Sequence, residues 1–124
     1  MKNCIFCNID ERRILFSQDE VFVIRDKFPV TSLHTLIIPR KHICSYFELS
    51  DLAMDNFSKI LKKCRDGLLK EDPSISGFNV GINDGVDAGQ TVMHCHIHII
   101  PRRNGDTKNP RGGVRGVIPE KQNY

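Results

Sequence analysis

Apolar residues in this chain gather into several short clusters and one long periodic stretch. The clusters are Glu20 to Arg25, Thr35 to Ile38, Gly77 to Asn83 and Gln90 to Ile100, rich in Val, Ile and Phe. Each has the length and β-branched character of a strand. The first is broken by Asp26-Lys27-Phe28-Pro29, and the second and fourth stop at Pro39 and Pro101. The long stretch has a different period. After Ser50, a good N-cap, Leu52, Phe57, Ile60, Leu61, Cys64 and Leu68 recur at three- and four-residue spacing, and Asp72-Pro73 closes the run. This is an amphipathic helix, with Leu49 and Met54 at the positions of a hydrophobic staple. The order strand–strand–helix–strand–strand predicts mainly antiparallel pairing and an α+β domain. A further strand is expected from residues 12–16 or from the C-terminal part.

One cluster carries chemistry. Met93-His94-Cys95-His96-Ile97-His98-Ile99-Ile100 places three of the five histidines at alternate positions. In a strand such positions share a face, about 7 Å apart, while Cys95, Ile97 and Ile99 point the other way. A solvated edge would be served equally well by Ser, Thr, Lys or Glu, whereas histidine can act as base, nucleophile or metal ligand near neutral pH. Two readings follow. In one, the middle residue His96 attacks phosphorus and His98 contacts the phosphoryl oxygens. In the other, the alternating histidines chelate zinc, although three in a row spread too far to converge easily on one ion. The loop Asp84-Gly85-Val86-Asp87-Ala88-Gly89 precedes the run, and Gly89-Gln90-Thr91 offers backbone N–H groups, an amide and a hydroxyl for an oxyanion.

Composition narrows the classes. With 124 residues and 40% hydrophobic content the chain makes one domain, residues 1–124. It has no apolar run long enough for a membrane span, and Met1-Lys2-Asn3-Cys4 lacks a signal-peptide core, so a cytoplasmic location is expected. Five cysteines then read as thiols or metal ligands. A net charge of +3 is no nucleic-acid footprint. The bases do cluster late, at Arg102, Arg103, Lys108, Arg111, Arg115 and Lys121. Residues 104–124 are therefore expected to be a basic loop or tail, either solvated or folded over a phosphate-bearing ligand.

His94-Cys95-His96-Ile97-His98-Ile99-Ile100 resembles the His-φ-His-φ-His-φ-φ signature of the histidine triad (HIT) superfamily, φ being apolar. The glycine loop and His34-Thr35-Leu36-Ile37-Ile38-Pro39 resemble other segments of that family, and the likeness spans roughly residues 4–103. It implies a five-stranded antiparallel sheet with one long helix and short helical turns, usually as a homodimer. It also implies cleavage of a purine nucleotide at its α-phosphate through a nucleotidyl-histidine, with no metal required for the chemistry. Carried over by position, His96 is the nucleophile, His98 contacts phosphate and His34 supports His98. Asp26 holds the ribose hydroxyls, and Asn83, Gly89, Gln90 and Thr91 lie against the phosphates. Apolar walls are expected from Ile5, Phe6, Ile24 and Ile38. The exit Ile100-Pro101-Arg102-Arg103 resembles the branch that cleaves dinucleoside polyphosphates, while Asp26 and Asn83 resemble the adenosine phosphoramidase branch. The basic exit tips the expectation toward the first. A non-catalytic nucleotide-binding module is the alternative from another class.

A second site is expected at the N-terminus. Cys4-Ile5-Phe6-Cys7 has the spacing of a zinc ligand pair, which needs two more ligands. The resemblance to bacterial-type family members implies His42 and His94, giving a structural zinc on Cys4, Cys7, His42 and His94. Cys44, Cys64 and Cys95 are expected to be core thiols.

Overall fold

The computed structural model describes residues 1–124. Five strands form one antiparallel sheet: β1 (Phe16–Gln18), β2 (Val21–Arg25), β3 (Thr35–Pro39), β4 (Gly77–Gly81) and β5 (Ile97–Arg102), in the order β1-β2-β3-β5-β4. A single long helix, α1 (Asp51–Glu71), joins β3 to β4, and five short 3-10 turns complete the chain. No helix is long and apolar enough to cross a membrane. The extra strand is β1, starting where the 12–16 segment was expected to end, while Glu11–Arg13 forms a 3-10 turn.

The sheet buries both faces, and the period-two pattern divides its residues between them. Val21, Val23, Ile37, Ile97 and Ile99 face α1 and pack on Phe57, Ile60, Cys64 and Leu68. Phe22, Ile24, Leu36 and Ile38 form the opposite face and pack on Phe6 from the N-terminal segment. The helix begins as the sequence reads, with the Ser50 hydroxyl accepting from the Ala53 N–H at 3.1 Å. Leu52, expected on the buried stripe, lies exposed in the first turn. Cys64 and Cys95 are core thiols, and burial pushes the first up to about 11 and the second to about 12. Cys44 is not: it is exposed, its Sγ donating to the Met93 carbonyl.

The histidine segment departs from its expected form. Regular pairing begins only at Ile97, so residues 90–96 are irregular. The cause lies in the partner strand. β3 pairs Ile37 with Ile97, which puts Pro39 opposite Cys95 two steps on. Proline has no N–H to give a ladder. The chain turns away: the Cys95 N–H donates to the Ile43 carbonyl at 2.7 Å, and the Pro39 carbonyl is taken by the His94 ring. Pro101, by contrast, does not end β5. Its carbonyl accepts from the Thr31 hydroxyl at 2.6 Å, on the side where β3 has already finished, so its missing N–H leaves no strand unpaired.

Candidate active site

β5 projects His98 from the sheet face opposite α1, while His96 and His94 lie in the irregular segment just ahead of it. The three rings do not form one row. His98 belongs to one cluster, with His34 and Asp26; His94 belongs to another, with Cys4, Cys7 and His42; His96 stands between them.

In the first cluster, hydrogen-bond partners dictate the tautomers. The Val30 N–H donates to Nδ1 of His34 at 3.0 Å, so the His34 proton is on Nε2. That Nε2–H points at Nδ1 of His98, 2.9 Å away. His98 therefore carries its own proton on Nε2, the nitrogen directed away from His34. Asp26 Oδ2 lies 3.5 Å from His34 Nε2 and 3.9 Å from His98 Nδ1, and its Oδ1 accepts from the Phe28 N–H. Burial drives His98 down to about 4, helped by the neighbouring His96 and His34 and opposed by the Asp26 carboxylate. His34 is lowered as well, again mainly by burial. Both rings are thus neutral around pH 7. The same tautomer argument weighs against a metal on Asp26, His34 and His98, because a ligating His34 Nε2 would put a proton on Nδ1, against the Val30 N–H.

His96 is nine-tenths buried, and its Nδ1–H donates to the His94 carbonyl at 2.8 Å. In the neutral ring that bond leaves the lone pair on Nε2. The ring sits 5.1 Å from that of His98, whose own N–H is on Nε2.

In the second cluster, Nε2–H of His94 donates to the Pro39 carbonyl at 2.7 Å, which turns the Nδ1 lone pair outward. Around it stand Cys4 Sγ at 3.3 Å, Cys7 Sγ at 3.5 Å and His42 Nδ1 at 3.2 Å, with Cys7 Sγ to His42 Nδ1 also 3.2 Å. A tetrahedral zinc on two imidazoles and two thiolates requires edges of about 3.3 Å between nitrogens and about 3.6 Å between nitrogen and sulfur. The donor set fits that ion in size and in chemistry. Burial lowers the basicity of His94, which favours the neutral ligand form.

The glycine loop is placed as expected but is differently employed. Gly85 and Gly89 both take positive φ, at 97° and 94°, where a side chain would strain the backbone. The N–H groups of Gly89 and Gln90 bond inside the loop, to the carbonyls of Val86 and Gly85. The Gln90 side chain is buried and fully engaged, its oxygen accepting from the Gly85 N–H and its nitrogen donating to the Cys44 and Val92 carbonyls. It fastens the loop, and both of its N–H donors are taken by main-chain carbonyls. Thr91 is exposed, and Asn83 lines the cavity next to His98.

That cavity measures about 720 Å³ and runs from His34 and His98 past Ile100 to Arg102, roofed by Val114 and Val117 of the C-terminal segment. The segment is folded rather than loose. Gln122 packs against Gly112 and Gly116, Asn109 bonds Asn123, and Arg111 and Arg115 stack on Tyr124. Two of the expected phosphate-facing bases have partners already: Arg102 pairs with Asp106 at 2.7 Å, and Arg103 with Asp72 at 2.8 Å. The packed lobe is nearer to the second of the two expectations for residues 104–124, a folded segment, than to a solvated tail; the two carbonyls that orient the rings, those of Pro39 and His94, were not foreseen from the residues. Backbone acceptors leave no residue-type signature. Of the expected apolar walls, Phe6, Ile24 and Ile38 are buried and Ile5 is largely exposed.

Known proteins resemble this chain in sequence and fold. The HIT domain model matches residues 8–105. An uncharacterized HIT-like protein, SSO2163 of Saccharolobus solfataricus, is 37% identical over 123 residues, covering 96% of this chain and 85% of its own length. A zinc-bound histidine triad family protein from Mycobacterium smegmatis superposes with a TM-score of 0.78 at 29% identity, covering 87% of this chain and 81% of the other. The diadenosine triphosphate hydrolase of Plasmodium falciparum, solved with Cyclomarin A, superposes with a TM-score of 0.71 at 28% identity over 82% and 68% of the two chains. With the matched model covering most of its length and the histidine cluster at the sheet's open face, the chain belongs to the histidine triad family.

Proposed function

We propose that this protein is a nucleotide hydrolase that works at an α-phosphate through His96. The observation that carries the reading is the hydrogen bond from His96 Nδ1–H to the His94 carbonyl, which leaves Nε2 unprotonated next to His98. Nε2 attacks phosphorus, the bond to the leaving group breaks with its electron pair, and a nucleotidyl-histidine forms. The Nε2–H of His98 donates to a phosphoryl oxygen as charge builds there. Water then attacks phosphorus, the bond from phosphorus to Nε2 breaks with its electron pair returning to His96, and the nucleoside monophosphate leaves as the water's proton passes to solvent. His34 acts through His98, holding its tautomer. Asp26 has Oδ2 available for ribose hydroxyls, with Asn83 and Thr91 available to the phosphates. Gly89 and Gln90 shape the loop between them. The nucleotide is taken to be adenosine-containing.

The cavity roofed by the C-terminal lobe is the space for the leaving group. The favoured substrate is a dinucleoside polyphosphate, a reading supported by the likeness to the Plasmodium hydrolase. The pairing of Arg102 with Asp106 and of Arg103 with Asp72 favours a second reading, an adenosine phosphoramidate whose amine product needs no free cation. The Cys4, Cys7, His42 and His94 centre is taken to hold a structural zinc, which supplies a cross-link between the N-terminal segment and the histidine segment. β4 ends the sheet with an unpaired outer edge and a half-exposed Val80, which suits edge-to-edge pairing in a homodimer. Five free cysteines suit the cytoplasm.

A diadenosine polyphosphate and an adenosine phosphoramidate are turned over side by side, with and without chelator, and the adduct is mapped after acid-free quenching. Adenylylation of His96 is expected, and His96→Ala should be inactive yet bind AMP. An adduct on another side chain, or full speed in His96→Ala, would overturn the mechanism. Binding of AMP with turnover of neither substrate would leave a binding module instead.

A further inference from the structure

Between the two cysteines of the N-terminal pair stands Phe6, and its ring joins the metal centre to the reacting imidazole. Phe6 is buried, and its ring meets that of His96 with centroids 5.1 Å apart at 68°, and that of His94 at 5.8 Å and 86°. Both contacts are edge-to-face arrangements, which hold a ring in one orientation better than aliphatic packing does. The backbone that presents Phe6 is itself tightly tied. The Asn8 N–H bonds the Cys4 carbonyl, the Asn8 side chain donates to the carbonyls of Met1, Lys2 and Cys4, and the Cys7 N–H points at Cys4 Sγ. A second connection runs through His94, whose ring belongs to the centre and whose carbonyl receives the His96 proton. His96 is therefore held on one side by Phe6 and on another by His94, and both holders are anchored by the same four ligands.

We infer that Phe6 is a positioning residue through which the Cys4, Cys7, His42 and His94 centre sets the orientation of His96. The inference rests on the reading of His96 as nucleophile, but its geometry is measurable without turnover. Occupancy of the centre then governs how fast His96 reacts, while Asp26, His34 and His98 are fastened through other contacts, from the Phe28 and Val30 N–H groups and between the two rings. The centre is structural in what it binds and kinetic in what it affects.

The test uses the full chain with ¹⁵N-labelled histidine in three forms: zinc-loaded, chelator-stripped, and zinc-loaded Phe6→Leu. Long-range ¹H–¹⁵N spectra report the tautomer of His96, and single-turnover adenylylation reports its reactivity. In the loaded protein His96 should show a single Nδ1–H tautomer. In the other two forms it should average between tautomers, and the adenylylation rate at saturating nucleotide should fall about 10- to 100-fold, the scale expected for misplacement by about an ångström. An unchanged His96 spectrum and rate in Phe6→Leu that still binds one zinc would overturn the proposal, even if stripping the metal unfolds the chain. A loss seen wholly in Kd would overturn it too. If the adduct mapped elsewhere, the function reading would fail while the His96 spectra still decided the coupling.

Discussion

Acidification should destabilise this fold through one identifiable ring. His98 is held near pKa 4 in the folded chain, with a side chain only 21% exposed, against about 6.5 when unfolded. The unfolded state therefore takes up a proton that the folded state refuses, and stability declines as pH falls from about 6.5 toward 4. A tenfold difference in proton affinity between the two states is worth about 1.4 kcal/mol, so the full effect is about 3 kcal/mol, with a slope of up to about 1.4 kcal/mol per pH unit inside the window. Above pH 7 the ring is neutral in both states and contributes no pH dependence. Burial is the main cause, and the contact geometry adds to it: a second proton on His98 would have to sit on Nδ1, head-on to the Nε2–H of His34 at 2.9 Å. Urea unfolding of the zinc-loaded chain and of His98→Gln between pH 4.5 and 7.5 isolates the effect, because every other side chain is common to both. The difference between the two proteins should change by about 2.5 kcal/mol across that range, in the direction of a weaker native chain at low pH. Parallel pH profiles would refute both the tautomer assignment and the buried-ring argument.

Other outcomes follow from the packing and the site. Phe57→Ala opens the interface between α1 and the sheet and should cost about 3–5 kcal/mol by chemical denaturation. Ser50→Ala removes the helix cap and should cost about 1 kcal/mol in the same assay. Elemental analysis should find one zinc per chain, and chelation should lower the melting temperature; Cys7→Ser should lower both zinc content and melting temperature. Gly112→Ala drives a methyl group into the Gln122 carbonyl oxygen at a φ of +85°, so the C-terminal lobe should loosen. Its kinetic signature should be a raised KM that depends on the leaving group, with AMP affinity preserved.

Much of the fold could be read from the chain because its signals are local. Ser50 and the spacing of Phe57, Ile60, Cys64 and Leu68 specify α1 within a residue of its observed ends. The alternation of Val21, Phe22, Val23 and Ile24 specifies a strand with two buried faces. The histidine spacing also brings His96 and His98 together without help from the rest of the sequence. What escaped depends on partners distant in sequence. The break at residues 90–96 follows from β3–β5 register, which sets Pro39 against Cys95, and no local pattern reveals register. The pairing of Arg103 with Asp72 spans 31 positions, so a run of bases looked free when it was not. The lobe at residues 109–124 depends on two glycines of positive φ, Gly112 and Gly113, and on Gln122 folding back across Gly112 and Gly116. Its composition alone reads as solvated chain.

The orientation of His94 bears on how such sequences should be interpreted. Three histidines in a signature suggest three participants in one reaction, yet here the first ring faces sulfur and a main-chain oxygen, so the proposed chemistry at phosphorus rests on a pair. A relative that lacks the cysteines at positions 4 and 7 loses the reason for a ligand nitrogen at 94, but keeps the need for its carbonyl, which any residue provides. Replacement there should thus be tolerated in company with those cysteines, and an isolated change at 94 says little about whether the chemistry survives.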